Sequence, residues 1–314
     1  MSELKVVALG GGHGLAGSLA ALRHVVSDLT AVVTVADNGG SSGRLRREFG
    51  VLPPGDLRQA LAALCGDDDW GRTWAKVLQH RFASDGEMHE HAVGNLLIVA
   101  LWELLGEHVS GLDWVGRLLG AQGRVLPMSV TPIDVTASVR GVDPGNPRAL
   151  TFIRGQVEVA STSGQVVSVA LEPENPTACP EAVAAVEAAD WVVLGPGSWF
   201  TSVIPHLLVP ELQHALVNSS ARKVVILNLE PQLGETDGFS PETHLKVLAS
   251  HAPALKLDIV VADERSVVDP DQLRLVASSF GADLLVADVA ADDGSPRHDP
   301  AKLARAYAEF LHEA

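Results

Sequence analysis

The chain has 314 residues, 46% hydrophobic and 20% charged, with a formal charge of −16. That is enough apolar material for one large α/β domain or two small ones. The acidic excess argues against a polyanion partner such as nucleic acid or an anionic membrane, while a local cationic cluster can still hold a small anion.

The first ten residues run straight into an apolar stretch with no cleavable leader pattern, and no long uncharged apolar span follows. Membrane insertion is not expected, and a cytoplasmic location is. Cys65 and Cys179 stand far apart in no metal-like spacing and read as reduced core residues.

Residues 4–10 (LKVVALG) and 29–37 (LTAVVTVAD) read as strands flanking a helical LAGSLAALRHVV, a β–α–β unit. Between them, GGGHGLAG (10–17) places Gly12, Gly14 and Gly17 at G-x-G-x-x-G spacing. Glycines there let a phosphate approach the backbone at a helix N-terminus. His13 reads as a donor to an anion or as a solvent-facing loop residue. After the second strand comes ADNGGSSGRLRR (36–47). Asp37 stands where a dinucleotide fold holds ribose hydroxyls. The residues that follow read as an open anion-binding loop, with charge-assisted donors from the arginines.

From 55 to 123 the pattern is helical, and Asp56 reads as an N-cap or as a carboxylate facing the ligand. Asn95, in an apolar helix, must be hydrogen-bonded, as a structural bridge or to a ligand. His89–His91 (HEH) reads as a solvated loop or a surface metal trap. A hydrolase nucleophile of the elbow type, a P-loop and a structural zinc site are not expected. Residues 124–172 alternate like antiparallel strands, including RVLPMSV and LTFIRGQVEVA.

Strands recur at 190–197, 223–229, 257–263 and 283–289, separated by helical segments. The expected fold is a Rossmann-like, doubly wound, mainly parallel α/β sheet with a helical insert and a small antiparallel β section. We expect one domain over 1–314, the insert at 55–123 and the antiparallel section at 124–172. Ligands of such sheets sit outside the carboxyl ends of the strands. LGPGSWFTSVIPHLLVPEL (194–212) supplies a third glycine loop there, with Ser198 and Thr201 as ligand hydroxyls or plain helix caps.

ALGGGHGLAGSLAAL, VTVADNGGSSGRLRREFGVLPPGDLRQAL, HAVGNLLI, GRVLP, LEPENP, LGPGSWFTSVIPHLLVPEL and GETDGF, in this order over positions 8–239, resemble the YvcK/CofD family, in particular its gluconeogenesis-factor branch. SPRHDPAKLA near the end is also similar. The resemblance implies a Rossmann-like core with a helical addition. Its CofD branch transfers a phospholactyl group from an activated nucleoside diphosphate to a deazaflavin hydroxyl, assisted by Mg2+. Its YvcK branch implies binding of a nucleotide sugar of the UDP-GlcNAc kind without established turnover, and support of cell shape and wall synthesis on gluconeogenic carbon. The resemblance further implies a Ser/Thr protein kinase as partner; a homo-oligomer is also expected. His13 and Asn38 depart from the family's usual Thr and Asp, and Asn38 removes one charge from the carboxylate pair.

Together these readings place Gly11, Gly12, His13, Gly14, Asn38, Gly39, Gly40, Ser41, Ser42 and Arg44 at a diphosphate. Gly195, Gly197, Ser198 and Thr201 complete its cradle. Asp37 and Asn228 face ribose or sugar hydroxyls, with Asn95 behind them. Asp37 and Asp56 are the candidate metal ligands. The alternatives are a Mg-dependent transferase acting on a nucleoside diphosphate and an NAD-binding oxidoreductase.

Overall fold

The computed structural model describes residues 4–232 and 234–311. β1 (Lys5–Gly10), α1 (Gly12–Leu22) and β2 (Asp28–Val33) form the parallel unit, with Lys5 opposite Asp28 and Gly10 opposite Val33. α1 buries Leu15, Leu19 and Leu22, the spacing of a single helix face.

The stretch read as an open loop after β2 instead coils into α2 (Gly40–Phe49). Leu45 anchors this helix in the core, and the small Ser41, Ser42 and Gly43 let its first turn pack inside. Four helices follow: α3 (Gly55–Ala63), α4 (Asp69–Gln79), α5 (Val93–Leu105) and α6 (His108–Leu119). Asp68 caps α4 by accepting from Gly71 N, and Glu107 caps α6 by accepting from Val109 N and Ser110 N.

β3 (Arg124–Pro127) was expected with the antiparallel strands. It pairs parallel to β2 instead, Leu126 beside Val32, as the edge strand of the main sheet. The intervening helices form a crossover long enough to return the chain in the same direction. β4 (Asp134–Arg140), β5 (Leu150–Arg154) and β6 (Gln165–Glu172) make the antiparallel sheet in the order β5-β4-β6. The strand expected to run on through QVEVA stops at Gly155, whose φ of 111° few other residues adopt, and the chain coils into α7 (Gln156–Ala160).

α8 (Pro180–Ala188) leads into β7 (Trp191–Leu194), which lies beside β1 with Leu194 opposite Leu9. A π-helical turn at Trp199–Val203 follows, then α9 (Ile204–Leu207) and α10 (Pro210–Asn218). The chain ends β8 (Arg222–Ile226), α11 (Pro241–His251), β9 (Ile259–Asp263), α12 (Pro270–Ser279), β10 (Asp283–Ala287), α13 (Pro300–Leu311). The main sheet runs β3-β2-β1-β7-β8-β9-β10, all parallel. Strand order therefore reverses between β1 and β7, which is where an open α/β sheet leaves a crevice at its carboxyl edge.

All four residues of β7 are buried, as a strand covered on both faces requires. α13 covers it, Phe310 tilted against Trp191 at 5.1 Å, and Tyr307 shares a 2.6 Å hydrogen bond with Ser18 of α1. Cys65 and Cys179 are both free and buried. Burial raises the Cys65 thiol and pushes Cys179 up to about 12, so neither is a ready nucleophile. Among the described residues no helix is long and apolar enough to cross a membrane.

Candidate functional site

A cleft of about 980 Å³ opens at the reversal point, over the carboxyl ends of β1, β2, β7 and β8. Register creates it. Leu9 pairs with Val32 on one side and Leu194 on the other, so the loops after β1, β2 and β7 leave the sheet at one level.

Gly11, Gly12, His13 and Gly14 line this cleft, and Gly197 and Ser198 face them from the β7 loop. The two glycine loops touch. A Cβ on Gly14 would stand 2.4 Å from the Pro196 carbonyl oxygen and 2.5 Å from Gly197 Cα, so glycine is needed there for close approach. Asn228 fastens the β7 loop from β8: its Nδ2 donates to Gly197 O (2.9 Å), and Gly197 N donates to its Oδ1 (3.1 Å). Its amide thus shapes the cleft wall that it also lines. The N-terminus of α1 opens into the same space and favours negative charge.

Two carboxylates face this wall. Asp37 follows β2 and lines the cleft, its Oδ1 accepting from Gly39 N at 2.8 Å. Asp56, in the first turn of α3, lines it too and is 9% exposed. Burial pushes Asp56 up to about 7, with the Asp37 charge adding, while the Gly12 N–H and Arg58 pull it back. Arg58 is itself buried, and burial, with Arg81 adding, lowers it to about 10. Among the described residues no group of three or more His, Cys, Asp or Glu side chains is arranged to hold a metal. A site here would rest on Asp37 and Asp56 with oxygens from a ligand.

The rest of the α2 segment lies behind the cleft. Asn38 Nδ2 donates to Glu158 (2.7 Å), and Val157 N donates to Asn38 Oδ1 (3.1 Å), joining the loop to α7. Gly39 and Gly40 carry the chain into α2. Arg44 does not point into the cleft: it donates to the carbonyls of Glu87 (3.0 Å) and His89 (2.7 Å) and pins the 84–91 loop. Ser41 accepts from Asn95 Nδ2 (3.0 Å) and Ala92 N (3.3 Å) and shares a 3.1 Å contact with His91 Nδ1. His91 is buried, not solvated as the HEH reading allowed. GGSSG at 39–43 does satisfy G-x-S-x-G, against the expectation that no elbow would be found. Ser41 is only 2% exposed, however, and its oxygen is engaged by two N–H donors, so it holds α2 against α5. Asn95 also reaches Ser42 at 3.5 Å, which makes it the structural bridge.

Gly195 turns the chain after β7 with φ 74°, and Thr201 lies buried in the π-helical turn. There the buried Glu235 lies near the Thr201 hydroxyl and the N–H groups of Trp199, Phe200 and Thr201, which pull its pKa down. Burial still pushes Glu235 up to about 7. Phe239 packs edge-on against Phe200 (6.0 Å) and His244 (5.4 Å), so it plugs the core.

The cleft's remaining wall went unassigned from sequence: Gln232 after β8, and Arg297, His298 and Asp299 between β10 and α13. Asp263, at the end of β9, accepts from Val289 N and Ala290 N (2.9 Å each) and fixes the root of that segment. Its polar residues follow the carboxyl end of a strand, which is the signal that could have found them.

The family model described as 2-phospho-L-lactate transferase CofD matches residues 6–290. A Mycobacterium tuberculosis protein named "Putative gluconeogenesis factor" is 53% identical over 302 residues, covering 95% of this chain and 88% of that protein. A Listeria innocua protein named "Gluconeogenesis factor" is 35% identical over 318 residues, covering 98% of this chain and 95% of the relative. A crystal structure of a UPF0052-family protein from Bacillus halodurans is similar with a TM-score of 0.85 at 31% identity, covering 98% of this chain and 99% of that one.

Proposed function

The chain belongs to the CofD family, in the branch whose members are named gluconeogenesis factor, and on that premise we propose that it binds a nucleotide sugar of the UDP-GlcNAc type in the cleft and acts as a regulator without turnover. The observation that carries this reading is the contact between the two glycine loops, Gly11–Gly14 and Pro196–Ser198, at the reversal point of the sheet. They bring exposed backbone N–H groups and a helix N-terminus to one place, which suits a diphosphate. The role in growth on gluconeogenic carbon is supported by the name that the relatives share, and the role in cell shape and wall synthesis by the resemblance alone.

A thermal-shift panel of UDP-sugars, GDP, NAD and deazaflavins tests the reading. A ligand that binds the native state at 100 times its Kd adds about 2.7 kcal/mol of apparent stability. UDP-GlcNAc is expected to raise Tm by several degrees. No shift with any nucleotide sugar at millimolar concentration removes the reading.

A second reading, a Mg-dependent transferase, draws on the carboxylate pair. Asp37 and Asp56 fit magnesium, which is commonly held by one or two carboxylates together with phosphate oxygens. Bound there, the ion would neutralise diphosphate charge. Release of nucleoside mono- or diphosphate in the presence of Mg2+ and cell extract, lost in Asp37→Ala, favours this reading over the regulatory one.

A further inference from the structure

β5 is a terminal strand of the small sheet, and its outer edge meets no other strand among the described residues. Alternation fixes what that edge offers. Gly155 N donates to Val135 O, one step beyond the pairing of Arg154 with Thr136. In an antiparallel ladder every second residue points both its N–H and its C=O at the neighbouring strand. Ile153 and Thr151 therefore bond to β4, opposite Ala137 and Val139, while Leu150, Phe152 and Arg154 turn their N–H and C=O outward. The side chains of these last residues share the more exposed face of the strand, with Leu150 56% and Phe152 68% exposed. Native edges of this kind are commonly blunted by lysine, proline or a bulge. The ladder to the opposite edge strand, β6, is interrupted by a register shift at Ser138–Val139. β5 is regular over its whole length and carries a phenylalanine at its centre.

We propose that the β5 edge pairs antiparallel with β5 of a second copy of this chain, about a two-fold axis at Phe152. With Phe152 opposite its counterpart, Leu150 of each copy falls opposite Arg154 of the other. Every outward N–H and C=O of one strand then meets one of the other strand. A slip of one residue would set outward-facing groups against inward-facing ones and lose those bonds. The exposed Phe152 rings become neighbours on one face, and the Arg154 stem covers Leu150. Charge selects a second copy as the occupant. At a net charge of −16, copies repel over most of their surface. This face is balanced instead: Asp134 lies 2.7 Å from both Arg46 and Arg154, and Arg154 also lies 3.2 Å from Glu172. Beyond the strand the same register carries the exposed Arg148 towards α7 of the second copy, whose first turn holds Glu158. The contact is isologous, so it closes as a dimer. It is independent of what the cleft binds.

Sedimentation equilibrium of the full chain tests this, because residue 152 faces itself across the axis. Wild type is expected to be dimeric at about 50 µM, as suits a short edge contact. Phe152→Lys and Phe152→Glu each set like charges opposite one another and should raise the dissociation constant at least about ten-fold. An equimolar mixture of the two variants sets ammonium opposite carboxylate and should recover the dimer. The substituted side chain is exposed, so each variant should keep its Tm within about 3 °C of wild type. A monomeric wild type overturns the proposal and leaves the edge to a peptide or another protein. Variants as dimeric as wild type, or a mixture that stays monomeric, overturn it as well. Should a variant not fold, residue-resolved amide exchange of wild type decides. Between about 1 and 100 µM protein, the Leu150, Phe152 and Arg154 amides should gain protection, while those of Thr151 and Ile153 are protected throughout. Protection at Leu150, Phe152 and Arg154 that does not rise with concentration overturns the proposal.

Discussion

Asp56 and Glu235 are both carboxylates raised to about 7 by burial, one in the cleft and one under the π-helical turn. Each binds its proton more tightly folded than unfolded. Their contribution to stability is therefore complete below pH 4 and is lost as pH rises through about 7. Asp56→Asn should remove its share: the variant gains in Tm over wild type more at pH 8 than at pH 5, as thermal melts at the two pH values will show. Gly14→Ala is the sharpest single change at the site. Its methyl group would strike the backbone of Pro196 and Gly197, so a loss on the order of 2 kcal/mol in chemical denaturation is expected, together with loss of nucleotide-sugar binding. Arg44→Ala should act elsewhere. Amide exchange at His89–His91 should quicken while ligand affinity stays within about two-fold, because Arg44 bonds loop carbonyls and does not line the cleft.

At the scale of elements, the segment between β10 and α13 is held by charge. Lys302 Nζ lies 2.8 Å from Asp288 and 2.6 Å from Asp292, and Arg265 reaches both at 3.4 Å. Both aspartates and Arg265 are solvent-exposed, and only Lys302 is largely covered, so the pairs add little to global stability. They do tether the loop that carries Arg297 and His298. Lys302→Met should weaken nucleotide-sugar binding several-fold in calorimetry, with Tm changed by less than about 3 °C. Strands were the most legible elements, since short buried runs ending in Gly or Asp have few other readings. α2 was not legible. Its Gly-Ser-Ser-Gly start has poor helix propensity, and only burial of Leu45 and the Asn95–Ser41 bond decide for a helix. β3 shows the same limit. Its four residues carry no mark of parallel or antiparallel pairing, and the partner strand lies about ninety residues away in the chain.

For the whole molecule, a net charge of −16 implies self-repulsion that salt relieves. Raising NaCl from 10 to 200 mM should increase Tm by roughly a few degrees, measurable by calorimetry, since the Debye length falls from about 30 Å to below 10 Å. By itself the sequence determined the fold class, most of the strands and two glycine loops at one sheet edge. Those depend on local periodicity and on glycine's backbone freedom, which a linear chain displays. Only the tertiary structure decided which residues face the cleft. Gly14 and Gly197, Asp37 and Asp56, and Gln232 and His298 come together because strand register aligns loops far apart in sequence. The same packing turned Ser41, Asn95 and Arg44 to structural bonds. A side chain's type says what it can bond, and its neighbours in space decide what it does bond.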